Sequence, residues 1–177
     1  SGDKLMGGPQ AGVIIGRAEL IERMRKNPLC RALRVDKVTL AGLEATLRLY
    51  LDPERVVSRI PTLRMLAMEE EMLRAVAEEV AGMLEAGGVS CDVVSTRGAV
   101  GGGTYPGVEL PSWAVELDGP SGVQALADAL RAGTPPVVGR IVEDRLRLDV
   151  RTLLPGEHEV VAARVIEAFS SSGSGGA

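Results

Sequence analysis

The sequence predicts an α/β chain in which two stretches of different character follow one another. Apolar stripes at helical spacing dominate up to Gly87-Gly88, and short β-rich runs punctuated by glycine and proline dominate after it. Two more helical stripes fall between and behind those runs. Helices beside a series of short strands imply a layer of helices on one face of an antiparallel or mixed sheet, an α/β sandwich of about one hundred residues.

Each element has its own reason. Residues 12–16 (GVIIG) form a β-branched apolar run bounded by glycines and are expected to be a buried strand. Residues 17–26 place Leu20, Ile21 and Met24 on one helical face, and Asn27-Pro28 ends them. A second helix is expected over 37–51, with Asp36 as its N-cap, Leu40, Leu43 and Leu47 at core spacing and Asp52-Pro53 as the stop. Pro61 opens a long helical segment over 62–86, whose stripe of Leu66, Leu73, Val76, Val80 and Leu84 runs to the paired glycines. Strands follow at 89–96 and 112–117, with a glycine-rich turn at 101–103 between them. Residues 136–142 and 145–150 read as a hairpin closed by Glu143-Asp144, and helices at 121–132 and 156–169 complete the pattern. The expected division is 1–62, the end of a larger domain, then 63–169, a small α/β domain, then 170–177, a flexible Ser/Gly tail.

Composition excludes several classes of function. With 177 residues, 45% hydrophobic and 25% charged, the chain can bury a core and is not disordered as a whole. Phe169, Trp113, Tyr50 and Tyr105 are too few rings for an aromatic platform that stacks single-stranded nucleic acid. A net charge of -4 gives no global attraction to phosphate, so any nucleic-acid contact needs a local basic patch. His158 is the sole histidine, and Cys30 and Cys91 stand far apart without a CxxC partner, so no metal site and no disulfide is expected. No apolar run is long enough to span a membrane and no signal segment is seen, which makes a cytoplasmic protein the expectation. The chain opens on Ser1 without an initiator methionine, and is expected to be part of a longer protein.

Two groups of residues could carry chemistry. Lys4, in SGDKLMGGPQAG, sits between an acid and a run of glycines that would let backbone approach a bulky cofactor. In a dry pocket its amine would lose its proton more easily and attack an aldehyde. The lysine precedes the glycines, so this is not the phosphate loop of a nucleotide hydrolase, and the plain alternative is a surface lysine beside a Gly-Pro turn. The second group is Arg23, Arg25, Lys26, Arg31, Arg34 and Lys37. If helical, Arg31 and Arg34 would share a face and could fork around one tetrahedral anion, the alternative being a solvated helix face. The run Gly101 to Thr104 fits a strand connection better than a phosphate cradle, and His158, between Glu157 and Glu159, receives no catalytic role.

With those residues in view, SGDKLMGGPQAG resembles the bacterial selenocysteine synthases, the L-seryl-tRNA(Sec) selenium transferases, which are fold-type-I, aminotransferase-like pyridoxal-phosphate enzymes. The stretch NPLCRALRVDKVTLAGLEATLRLYL is similar to the segment that follows the cofactor lysine in that family. TPPVVGRIVEDRLRLDVRTLLPGE is similar to the family's carboxyl-terminal end. The resemblance implies that the chain is a C-terminal part: residues 1–62 the end of the large cofactor domain, residues 63–169 the small domain.

It also implies roles. Lys4 would hold pyridoxal 5'-phosphate as an aldimine with Asp3 beside it, and Arg31 and Arg34 would bind the anionic group of selenophosphate. The family converts L-seryl-tRNA(Sec) to L-selenocysteinyl-tRNA(Sec) through an aminoacrylyl-tRNA intermediate, in the cytoplasm, as a ring-shaped homo-oligomer, a decamer. The acid for the pyridine nitrogen and the family's tRNA-binding domain would precede Ser1, so this chain is expected to be inactive alone. Two other readings stay open at this point: a related pyridoxal-phosphate lyase acting on a phosphorylated amino sugar or amino acid, and a noncatalytic interaction module.

Overall fold

The structure is a computed structural model and describes residues 1–101 and 104–173. The chain divides into two compact units, one of Ser1–Ala67 with Gly103–Pro106, the other of Met68–Gly102 with Gly107–Ala177.

The first unit is helical: α1 Ala18–Arg25, α2 Leu29–Ala32, α3 Lys37–Leu49, α4 Val56–Arg59 and α5 Pro61–Ala67. α3 starts where the sequence places its cap. The Asp36 carboxylate accepts from the Thr39 amide at 2.8 Å and from the Thr39 hydroxyl at 3.0 Å. Those bonds favour the ionised form and lower the Asp36 pKa. The single turns α2 and α4 lie in loops that carry no helical period and were not expected.

Residues 12–16 are a correction. They form no strand, and Val13, Ile14 and Ile15 are exposed, Ile15 at 91%. An extended run makes its backbone hydrogen bonds only with a neighbouring strand, and among the described residues this unit has none. Ala11 and Ile60 are the buried hydrophobics recorded in the unit.

The second unit is a layer of helices on a four-stranded sheet. It comprises α6 Glu70–Ala86, β1 Asp92–Ala99, β2 Glu109–Leu117, α7 Val123–Ala132, β3 Arg140–Val142, β4 Arg145–Asp149, a 3-10 turn Val150–Thr152 and α8 Glu157–Gly173. The strand order is β1-β2-β4-β3 with every pairing antiparallel, which resolves the sheet as antiparallel, not mixed. Val93, Val115 and Leu148 align across the strands, as do Leu117 and Leu146, and this face packs on Leu73, Val80 and Leu84 of α6, Leu130 of α7 and Val165 of α8.

The single helix expected over 62–86 is two. It is interrupted at Met68-Glu69, where Glu69 is extended (φ -71, ψ 152) and stands at the N-cap position of α6 without a side-chain cap bond. Glu70 and Glu71 then occupy the first turn, where carboxylates suit the positive end of a helix dipole. The Glu143-Asp144 turn has both residues at positive φ (50° and 61°), as a tight hairpin requires. α8 continues beyond Phe169 to Gly173, and the end of the expected tail, residues 174–177, lies outside the described residues. Gly102 and Gly103 of the glycine turn also lie outside them.

The face of the sheet away from the helices is ionic. Glu116, nearly buried, takes two guanidinium bonds from Arg147, whose Nε lies 2.7 Å from Oε1, and one from Arg145 at 3.2 Å. Arg145 also bridges to Asp92 at 2.7 Å and to Asp118 at 2.9 Å. Ser112 donates to Asp149 at 2.7 Å.

Candidate functional site

Lys4 lies on a loop closed by its own backbone. The Gly2 amide donates to Ala11 O and the Gly8 amide to Gly2 O, both at 2.8 Å, and the Gly7 amide donates to Lys4 O at 3.0 Å. The glycines are sterically required. Gly7 has φ +70°, and a Cβ there would stand 2.4 Å from Ile60 Cγ2; at Gly2 a Cβ would stand 2.5 Å from Pro9 O. Gly8 lies against Thr46 of α3, and the Tyr50 hydroxyl, just past α3, donates to Met6 O at 3.1 Å. Packing and hydrogen bonds from α3 and Ile60 therefore fix the loop.

Within it, Lys4 Nζ donates to Asp3 Oδ2 at 2.7 Å, and the Ser1 hydroxyl donates to Asp3 Oδ1 at 2.5 Å. The Lys4 bond, followed by that of Ser1, holds the Asp3 carboxyl at a pKa of about 2, below its ordinary 3.8. The Lys4 side chain is 46% exposed. This chain does not itself supply the dry pocket expected around the amine; it offers a primary amine open to solvent on one side and oriented by a carboxylate on the other. Behind Lys4, Leu5, Met6, Leu47, Tyr50 and Leu63 line an open apolar depression.

The two arginines fall out differently from the expectation. Arg31 is on α2, but that helix ends at Ala32 and Arg34 lies beyond it, so no continuous helix face joins them. Both are exposed, and neither makes an ion pair among the described residues. No hydrogen bond or ion pair connects either of them with Lys4. His158 is half-buried beside Glu79 at 3.5 Å and Glu159 at 3.8 Å. Both cysteines are free, and burial pushes the Cys91 thiol pKa up. Among the described residues no group of His, Cys, Asp or Glu could hold a metal ion, and no helix is long and apolar enough to cross a membrane.

Sequence reading missed the residues that hold the loop. Tyr50 and Ile60 act on it from more than forty residues away, and nothing in their spacing announces that contact. Thr46 shows a signal only in retrospect, as a small polar residue in the stripe of α3.

Comparison with known proteins places these features in a wider set. A family model described as L-seryl-tRNA selenium transferase matches residues 1–154. Over 180 residues the chain is 48% identical to the L-seryl-tRNA(Sec) selenium transferase of Moorella thermoacetica, covering 99% of this chain and 38% of that protein. The proteins of the same name from Hyphomonas neptunium and Aquifex aeolicus are 48% and 43% identical, each over 96% of this chain and over 36% and 38% of their own lengths. The chain thus spans little more than a third of the length of these relatives.

Proposed function

Because the chain belongs to the L-seryl-tRNA selenium transferase family, we propose that it is the lysine-bearing part of an enzyme that converts L-seryl-tRNA(Sec) to L-selenocysteinyl-tRNA(Sec) with selenophosphate. In this reading residues 1–62 end the cofactor domain of a fold-type-I enzyme and residues 63–169 form its small domain. The observation that carries it is Lys4, presented on a sterically closed loop with Asp3 at 2.7 Å, inside the segment that the family model matches.

The residues present fit pyridoxal phosphate at one point. The Lys4 amine is accessible to an aldehyde carbon, and its loop is held so that Nζ projects from a fixed backbone. When bound, the cofactor supplies an electron sink for the bonds at the serine Cα. Lys4 then serves as the base that takes the Cα proton, and Asp3 orients its amine and balances its charge. The serine hydroxyl leaves as water, selenium from selenophosphate bonds to the β-carbon as the proton returns to Cα, and a water cleaves the P–Se bond so that phosphate is released. Arg31 and Arg34 bind the phosphate oxyanion, the task for which a planar guanidinium is better suited than an ammonium. The enzyme's partners are serine-charged tRNA(Sec), selenophosphate and further copies of itself.

The test is a conversion assay on the complete protein with labelled seryl-tRNA(Sec), pyridoxal phosphate and selenophosphate. Lys4→Ala is expected to abolish product. Arg31→Ala and Arg34→Ala are expected to raise the KM for selenophosphate more than they slow loss of the serine hydroxyl. A wild-type protein that carries the cofactor on Lys4 yet leaves seryl-tRNA untouched would overturn this reading in favour of a lyase.

A further inference from the structure

We propose that the C-terminal end of α1, through Arg23, Arg25 and Lys26, is a contact surface for the phosphate backbone of the tRNA acceptor end. This rests on the reading above that the substrate is an aminoacyl-tRNA, and names a surface that receives it.

The charge distribution comes first. The chain as a whole carries -4, yet residues 23–37 hold six cations and a single carboxylate, Asp36. That carboxylate is engaged in the Thr39 cap of α3. Arg25 and Lys26 both turn to the same partner, Glu22, at 3.2 Å and 3.7 Å. Arg23 has no ion-pair partner among the described residues, although Glu19, one turn earlier, stands at the spacing that would allow one. Three cations against one shared carboxylate leave positive charge facing water. The negative end of the α1 dipole explains why cations are tolerated there, but it does not remove their charge from the surface.

Geometry adds a second argument. Arg23 lies on α1 and Lys26 is its C-cap, with a backbone still helical (φ -77°, ψ -11°) and bonded to Glu22 O, so the two, three apart, fall on one side while Leu20, Ile21 and Met24 occupy another. Arg23, Arg25 and Lys26 are all exposed. The surface belongs to the same compact unit as Lys4. Serine is esterified to the 3' end of the tRNA, so in the proposed reaction the last nucleotides come up to the unit that carries Lys4. Each brings a phosphate with it, and exposed cations that outnumber their carboxylates, here Arg23, Arg25 and Lys26 beside Glu22, are the groups that meet a polyanion by releasing its counterions. Few aromatic rings and several guanidinium groups suit a contact that holds the backbone without reading bases.

The experiment uses the complete protein and measures binding of seryl-tRNA(Sec) directly across a range of salt, comparing wild type with the double variant Arg23→Gln/Lys26→Gln. Each lost phosphate contact lowers the slope of log affinity against log salt by about one. The double variant is therefore expected to bind several-fold more weakly, with a slope shallower by about two. Its kcat at saturating tRNA and its KM for selenophosphate should be unchanged. The double variant Arg97→Gln/Arg131→Gln, at two exposed arginines of the other unit, controls for the loss of two charges alone, and thermal melting verifies that both variants fold. Unchanged affinity and slope in a double variant whose wild type binds and converts seryl-tRNA would overturn this proposal alone. A wild-type protein that neither binds nor converts it would overturn the functional reading as well.

Discussion

At the scale of single residues, the proposed chemistry rests first on the Asp3–Lys4 pair, joined at 2.7 Å. Asp3 titrates at about 2 when folded against 3.8 ordinarily, so its contribution to stability is present above about 3.8 and is lost as pH falls from there through about 2. An NMR titration of the carboxyl should show that low midpoint in the wild type and a return toward 3.8 in Lys4→Met. A midpoint unaffected by Lys4→Met would mean that the Ser1 hydroxyl, not the lysine, sets the value. Lys4 stood out in the sequence as a lysine flanked by an acid and glycines, a pattern shared by a surface lysine beside a Gly-Pro turn, and it was the resemblance to the family that singled it out. The environment of its amine was not legible: solvent exposure depends on which surfaces meet around the loop, and the sequence records no such meeting. Arg31 and Arg34 were legible as charges and not as geometry, since α2 ends between them.

At the scale of elements, the lysine loop depends on glycine for two separate reasons, backbone conformation and lack of room. Gly7→Ala combines a left-handed φ with a Cβ overlapping Ile60 and is expected to cost about 1 to 3 kcal/mol. Gly12→Ala, whose Cβ would meet nothing within 4 Å, should leave the melting temperature nearly unchanged. Equal effects would show that the loop is not held against Ile60. The ionic face of the sheet supports a comparable test. Removing Glu116 takes from Arg147 its carboxylate partner on a partly open face, while Arg145 keeps Asp92 and Asp118, and Glu116→Ala should cost about 1 to 3 kcal/mol in chemical denaturation. The double change Glu116→Leu/Arg147→Met should recover part of that loss, and failure to recover any would mean that Arg145, not Arg147, is the principal partner.

Elements closed by local chemistry were legible: the Asp36 cap of α3 and the Glu143-Asp144 hairpin follow from a side chain or a turn acting within a few residues. The break between α5 and α6 was missed because Leu66 and Leu73 sit in phase on either side of it, although the stripe is interrupted at 69 and 70 by glutamates, whose run at 69–71 is the mark of a helix start. The run at 12–16 carries the right pattern for a strand, but a strand also needs an edge to pair with, and pattern alone does not supply one.

At the scale of the whole molecule, the two units differ in how they are stabilised. The second has a continuous core between sheet and helices, whereas the first leaves Ile14, Ile15, Leu33, Val38 and Leu51 more than half exposed. Large apolar side chains left exposed in this number are surface that other protein can cover, and the chain spans little more than a third of its relatives' length. In the proposed function a lysine loop built within this chain would hold a cofactor whose remaining contacts would come from elsewhere in the complete protein. The measurement that tests their connection most directly is borohydride reduction of the complete, cofactor-loaded protein, followed by peptide mass spectrometry. A pyridoxyl adduct on Lys4, absent after Lys4→Ala, is the expected result. An adduct on another lysine, or none in a protein that nonetheless converts seryl-tRNA, would contradict the assignment of Lys4.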